Sequence, residues 1–130
     1  MLIAGAKGFA KEVLEVLHQL QQDHDLAFFD DVSGDLTGTV FGDFPVLSST
    51  EAAARWYRKK GPTFTLGLGG PTARHVVAKK LEALGGALTS LVSPFARVGR
   101  YGTEVGVGCS IMTGAVITSD VIIGEGTLIN

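Results

Sequence analysis

The sequence holds a single cysteine, Cys109, among 130 residues, so no disulfide can close within the chain. Charge is sparse and balanced: eleven lysines and arginines face thirteen acids, a formal net of −2, which gives no reason to expect nucleic acid or an anionic membrane as a partner. No apolar run reaches the length needed to span a bilayer. A secretory signal is lacking too, because Met1-Leu2-Ile3-Ala4 is apolar from the start and the first cation, Lys7, follows that run instead of preceding it. These absences point to a soluble cytoplasmic protein, with no metal site expected. Histidine is also scarce. His18, His24 and His75 are the three present, none has a sequence neighbour that would tune it as a base, and none falls in residues 92–130. Cys109 sits at a small, inward position of the repeats described next and reads as packing.

Residues 92–130 repeat every six residues. Each repeat opens on a β-branched residue: Val92, Val98, Val105, Ile111, Ile117, Ile123 and Ile129, with Glu104 as one extra residue. Four places after the openers stand Ala96, Gly102, Cys109, Ala115, Val121 and Thr127, none of them bulky. The period is too short for hairpins and lacks helical spacing, whereas a parallel β-helix fits it, with about three hexapeptides per triangular turn. The alternative, a glycine-rich antiparallel sandwich, needs longer strands with turn signals about every 8 to 12 residues.

The first ninety residues read differently. Met1 to Ala4 forms a short buried strand, then the loop Gly5-Ala6-Lys7-Gly8, then a helix from Phe9 to Gln21 that buries Phe9, Val13, Val16, Leu17 and Leu20. A strand from Leu26 to Phe29 ends in Asp30-Asp31. A strand, glycine loop, helix and strand in this order suit a nucleotide, since the loop lets the backbone approach a phosphate and the helix start favours negative charge. The acid pair about twenty residues on sits where such folds place a carboxylate against a ribose or base. The loop is only G-x-x-G, without the second glycine of the dinucleotide fingerprint, which counts against NAD. A tight turn with exposed strand-end acids stays open as the plainer reading. Val32 to Ser49 reads as an irregular connection, and Thr50 as the N-cap of a helix to Lys60 with Ala52, Ala53, Trp56 and Tyr57 inside. Phe64 to Leu68 is a third strand, running through Gly69-Gly70-Pro71 into a helix from Thr72 to Leu84. Arg74 in its first turn is a candidate phosphate or carboxylate partner, with a solvated surface role as its alternative. Ala87 to Leu91 is the last strand before the repeats.

The segments I-A-G-A-K-G-F-A-K-E-V-L, F-F-D-D and L-G-L-G-G-P-T-A-R, followed by hexapeptides from V-S-P-F-A, resemble bacterial nucleotide-sugar acetyltransferases of the sialic acid O-acetyltransferase type. The resemblance implies an α/β Rossmann-like N-terminal domain over residues 1–91 and the start of a left-handed parallel β-helix over residues 92–130. It also implies acetyl-CoA as co-substrate, a nucleotide-linked amino sugar or sialic acid as acceptor, and a homotrimer. Sugar-nucleotide contacts carry over onto Gly5, Gly8, Asp30 and Asp31, and onto Gly69 and Arg74; Asn130 matches an asparagine near the active site. Two departures stand out. Phe9 replaces the histidine usual after the second loop glycine. The catalytic histidine of the family comes a few residues after its I-N pair, beyond Asn130, so the chain reads as a truncated β-helix that binds substrate without its base and does not turn over by itself. A non-catalytic sugar-nucleotide-binding module and an NAD-dependent enzyme or redox sensor are the other readings.

Overall fold

The computed structural model describes residues 1–34 and 38–130. Strands β1 (Leu2–Ala4), β2 (Ala27–Phe29), β3 (Thr39–Val40), β4 (Phe44–Leu47), β5 (Thr63–Leu66) and β6 (Ala87–Leu88) form one sheet in the order β3-β4-β2-β1-β5-β6. All neighbours pair in parallel except β3 with β4. Strand β1 alternates its side chains between two cores. Ile3 joins α1 (Gly8–Gln19) on one face, with Val13, Leu17 and Phe28. Leu2 and Ala4 join α2 (Thr50–Lys60) and α3 (Pro71–Ala83) on the other, with Phe29, Phe64 and Leu81. Fully buried parallel strands of this kind read as continuous apolar runs, as M-L-I-A and L-A-F-F do.

Several sequence expectations change at the edges. Helix α1 ends at Gln19 and buries Ala10 and Leu14 beside the expected stripe. The N-cap of α2 is Ser49, whose hydroxyl accepts the Ala52 N–H at 3.2 Å, and Thr50 is already helical. The connection read as irregular contains β3 and β4, joined by a three-residue loop in which Phe41 and Gly42 both take positive φ, 53° and 82°. Asp35, Leu36 and Thr37 of that connection lie outside the described residues. The strand expected over Ala87 to Leu91 is two strands, β6 in the main sheet and β7 (Leu91–Val92) in a different one.

From β7 onward the chain winds. Strands β8 (Arg97–Val98), β9 (Glu104–Val105), β10 (Ser110–Ile111), β11 (Val116–Ile117), β12 (Ile122–Ile123) and β13 (Leu128–Ile129) are two residues each. They pair in parallel as three stacks, β7-β10-β13, β8-β11 and β9-β12. Leu91 meets Ser110 and Arg97 meets Val116, nineteen residues on, whereas Glu104 meets Ile122 and Ser110 meets Leu128, eighteen on. The extra residue is therefore absorbed in the corner of residues 99–103, and Glu104 itself pairs in a strand. Ile111, Ile117 and Ile123 fill the inside of the coil with Cys109 and Ala115. Leu91 and Met112 on its outside join the α1 core. Ser93 and Thr113 of the coil both hydrogen-bond Gln19 of α1 at 3.2 Å. No described helix is long and apolar enough to cross a membrane.

Candidate functional site

Strands β1, β2 and β5 run parallel and side by side, so their carboxyl ends open on one edge of the sheet through Gly5-Ala6-Lys7, Asp30 to Ser33 and Gly67 to Gly69. Helix α1 leaves β1 on one face while α3 follows β5 on the other. The strands part company between β1 and β5, the switch point at which open α/β sheets bind ligands. A cavity of about 350 Å³ lies there, bordered by Gly5, Lys7, Asp30, Asp31, Gly67 and Gly69, with Phe9 and Val77 as apolar wall.

The glycines have unequal roles. Gly5 takes φ of 101°, and a Cβ on it would stand 2.9 Å from the Gly67 carbonyl oxygen, so both its backbone angle and its space exclude a side chain. Gly67, passed over in the sequence, is as tightly held: a Cβ there would lie 2.8 Å from Ala10 Cα and from Ile3 Cγ2. It lets α1 rest directly on the end of β5. Gly69 has open space around it, and it borders the cavity. Gly8 does not border it; it is the first residue of α1, with nothing within 4 Å of a Cβ placed on it.

Charge is arranged for an anion. Helices α1 and α3 have Lys7 and Gly70 at the N-cap position, with no side-chain cap bond and no acid in the first turn, whereas α2, pointing elsewhere, has Ser49 and Glu51. The first N–H groups of a helix lack intrahelical partners and carry partial positive charge. Lys7 adds a full positive charge where the helix field disfavours one. The two acids differ. Asp30 Oδ1 accepts the backbone N–H groups of Ser33 at 2.8 Å and Val32 at 3.2 Å, organising its own loop. Asp31 Oδ2 accepts Lys80 Nζ of α3 at 2.7 Å. Among the described residues no cluster of His, Cys, Asp or Glu could hold a metal ion.

Arg74 requires a correction, because it is neither a surface residue nor a donor left for a ligand. It is 3% exposed. Nε donates to Gly126 O at 2.9 Å, one terminal nitrogen to Leu68 O at 2.9 Å and Leu66 O at 3.3 Å, and the other to Gly108 O and Ser110 Oγ at 3.2 Å each. Those five bonds use the five N–H groups of a guanidinium. Burial pulls its ionisation below the usual arginine value, opposed by Cys109. Beside it, between α3 and the coil corner, runs a cleft of about 740 Å³ bordered by Gly69, His75, Lys79, Glu125 and Leu128. It is larger than the switch-point cavity and shares Gly69 with it, but of the three strand-end loops only that of β5 reaches it, whereas all three border the switch-point cavity. Asn130 follows β13, is exposed, and borders neither space. His18, unlike the sequence reading, has a partner in Asp23.

A family model described as the PglD N-terminal domain matches residues 1–81. No curated protein matches the chain. Among solved structures, a variant of perosamine N-acetyltransferase from Caulobacter crescentus in complex with CoA and GDP-perosamine is 27% identical, with a TM-score of 0.86, over 99% of this chain and 59% of that one. The acetyltransferase domain of PglB from Neisseria gonorrhoeae in complex with acetyl coenzyme A is 26% identical, with a TM-score of 0.81, over 99% of this chain and 60% of that one. The chain thus spans about three fifths of the length of these structures. Through its first 81 residues, the chain belongs to the PglD N-terminal domain family.

Proposed function

We propose that the chain is part of an acetyl-CoA-dependent N- or O-acetyltransferase whose acceptor is a nucleotide-linked amino sugar or sialic acid. The observation that carries this is the switch-point cavity between two uncapped helix starts, in a fold shared with proteins that hold CoA and GDP-perosamine. Residues 1–91 form the Rossmann-like unit, with Gly5, Asp31 and Gly69 at the sugar nucleotide. Residues 92–130 form the first turns of a left-handed β-helix. The acceptor amine or hydroxyl attacks the thioester carbonyl, the carbon–sulfur bond breaks, a carbon–nitrogen or carbon–oxygen bond forms, and the acceptor's proton passes to a base while the thiol leaves. We place that base on a histidine following Asn130 in longer forms of the chain. Exposed Tyr101, Val116 and Ile122, at 78%, 68% and 80%, support a homotrimer packed through the coil.

One observation favours a non-catalytic binding module as the second reading. His18 and His24 lie near the far end of α1 and before β2, at the sheet edge opposite the cavity, and His75 borders only the larger cleft. Calorimetric titration with UDP-sugars, GDP-sugars and NAD, followed by a thiol-release assay with acetyl-CoA, separates these. Binding of a sugar nucleotide but not NAD supports the assignment. Thiol release that needs the amino-sugar nucleotide, in the 130-residue chain, discards the module reading; tight NAD binding with no response to sugar nucleotides discards both.

A further inference from the structure

We infer that Lys80 is a positioning residue for nucleoside recognition: it fixes the Asp31 carboxylate as the acceptor for hydroxyl or ring N–H donors of a nucleoside bound at the switch-point cavity. The inference rests on the nucleotide-binding reading above and assigns a residue that does not itself border the cavity.

The adjacent acids Asp30 and Asp31 are held in opposite ways. Asp30 turns an oxygen onto the N–H groups two and three residues ahead, a local turn that any short loop can make. Asp31 reaches a residue 49 positions away on another element. Its side chain is 18% exposed and that of Lys80 33%, so this pair is more sheltered than the solvent-facing pairs that contribute little. A lysine ordered in this way gives up rotamer freedom, and what it secures is the direction of one carboxylate. The helix that supplies Lys80 also supplies Ala73 and Val77 to the cavity wall. Acceptor and wall therefore share one rigid support, which holds a binding group more closely than a loop alone does. Among the described residues, Asp31 Oδ1 has no protein donor.

The test is calorimetric titration of UDP, GDP and inorganic pyrophosphate into the wild type, Lys80→Met, Lys80→Arg, Asp31→Asn and the Lys80→Met/Asp31→Asn double variant. Methionine keeps an unbranched apolar stem without the charge, and thermal melts verify that each variant folds. Lys80→Met should weaken UDP or GDP about tenfold, the scale of one charge-assisted hydrogen bond, and change pyrophosphate by no more than about twofold. Lys80→Arg should recover most of the loss. In the Asp31→Asn background Lys80→Met should cost nothing more. Unchanged nucleotide affinity in Lys80→Met, equal losses for nucleotide and pyrophosphate, or additive losses in the double variant would overturn the role of Lys80 and leave the nucleotide site standing. A wild type that binds neither UDP nor GDP overturns the nucleotide site and this inference together.

Discussion

Arg74 Nε donates to the carbonyl of Gly126 at 2.9 Å, joining the first turn of α3 to a coil corner 52 residues later. The same guanidinium holds Leu66 O and Leu68 O at the end of β5, next to the loop that borders the candidate site. One side chain thus sets the distance between the switch-point edge of the sheet and the coil. Arg74→Met should destabilise the chain by about 2–4 kcal/mol, because it leaves the buried acceptors at Leu66, Gly108 and Ser110 without their donor. Arg74→Lys should recover little, since a single ammonium cannot reproduce a five-donor fork. Urea denaturation of the three proteins measures both effects.

Thr65 offers the opposite case. It is fully buried on β5, in register with Ile3, and its hydroxyl has no hydrogen-bond partner among the described residues. Valine has nearly the same shape without the polar atom. Thr65→Val should therefore be neutral or stabilising by about 1 kcal/mol, as relief of an unpaired buried hydroxyl predicts. A loss above that size on thermal unfolding would mean that the hydroxyl has a hidden partner.

Neither residue was legible in the sequence, for reasons that differ. The helical spacing of Val13, Val16 and Leu17 and the six-residue repeat of β-branched openers are local patterns, and they located α1 and the coil. Arg74 lies in an exposed-looking helix start, and its acceptors at Gly108 and Gly126 come from a corner brought in only by tertiary winding. The β3–β4 pair escaped because the strands are two and four residues long, Pro45 interrupts one, and Phe41 takes a positive φ that glycine or asparagine usually signals. Lys80 reads as one more helix-surface cation until Asp31 is placed against it.

The exposed pair His18–Asp23 makes stability depend on pH. The hydrogen bond from Asp23 raises the His18 pKa above its ordinary value, and the bond from His18 lowers that of Asp23. A raised histidine pKa contributes stability that is fully present below the unfolded value of about 6.5 and fades as pH rises through the folded one. The lowered aspartate contributes above its unfolded value of about 3.9 and fades as pH falls through the folded one. The pair should thus help most between about pH 4 and 6.5. His18→Gln should flatten the melting-temperature profile between about pH 6 and 8 without altering nucleotide affinity, because His18 lies in the last turn of α1, away from the cavity.

Gly8 and Gly67 separate packing from ligand approach, although only Gly8 belongs to the G-x-x-G loop. A Cβ on Gly67 would press within 2.8 Å of Ala10 Cα, a backbone atom that cannot step aside. Gly67→Ala should cost about 1–3 kcal/mol, as overpacked cores do, by forcing α1 away from β5. A Cβ on Gly8 meets nothing within 4 Å, and alanine is the better helix former by up to about 1 kcal/mol. Gly8→Ala should therefore leave stability unchanged or slightly raised. If a diphosphate lies against the start of α1, that added methyl group should still weaken UDP or GDP binding, since its N–H groups can be reached only by close approach. Denaturation and calorimetry on the two variants distinguish the outcomes. A Gly8→Ala protein that is as stable as the wild type and binds nucleotide equally well would move the phosphates away from α1 and toward Gly69 at the start of α3.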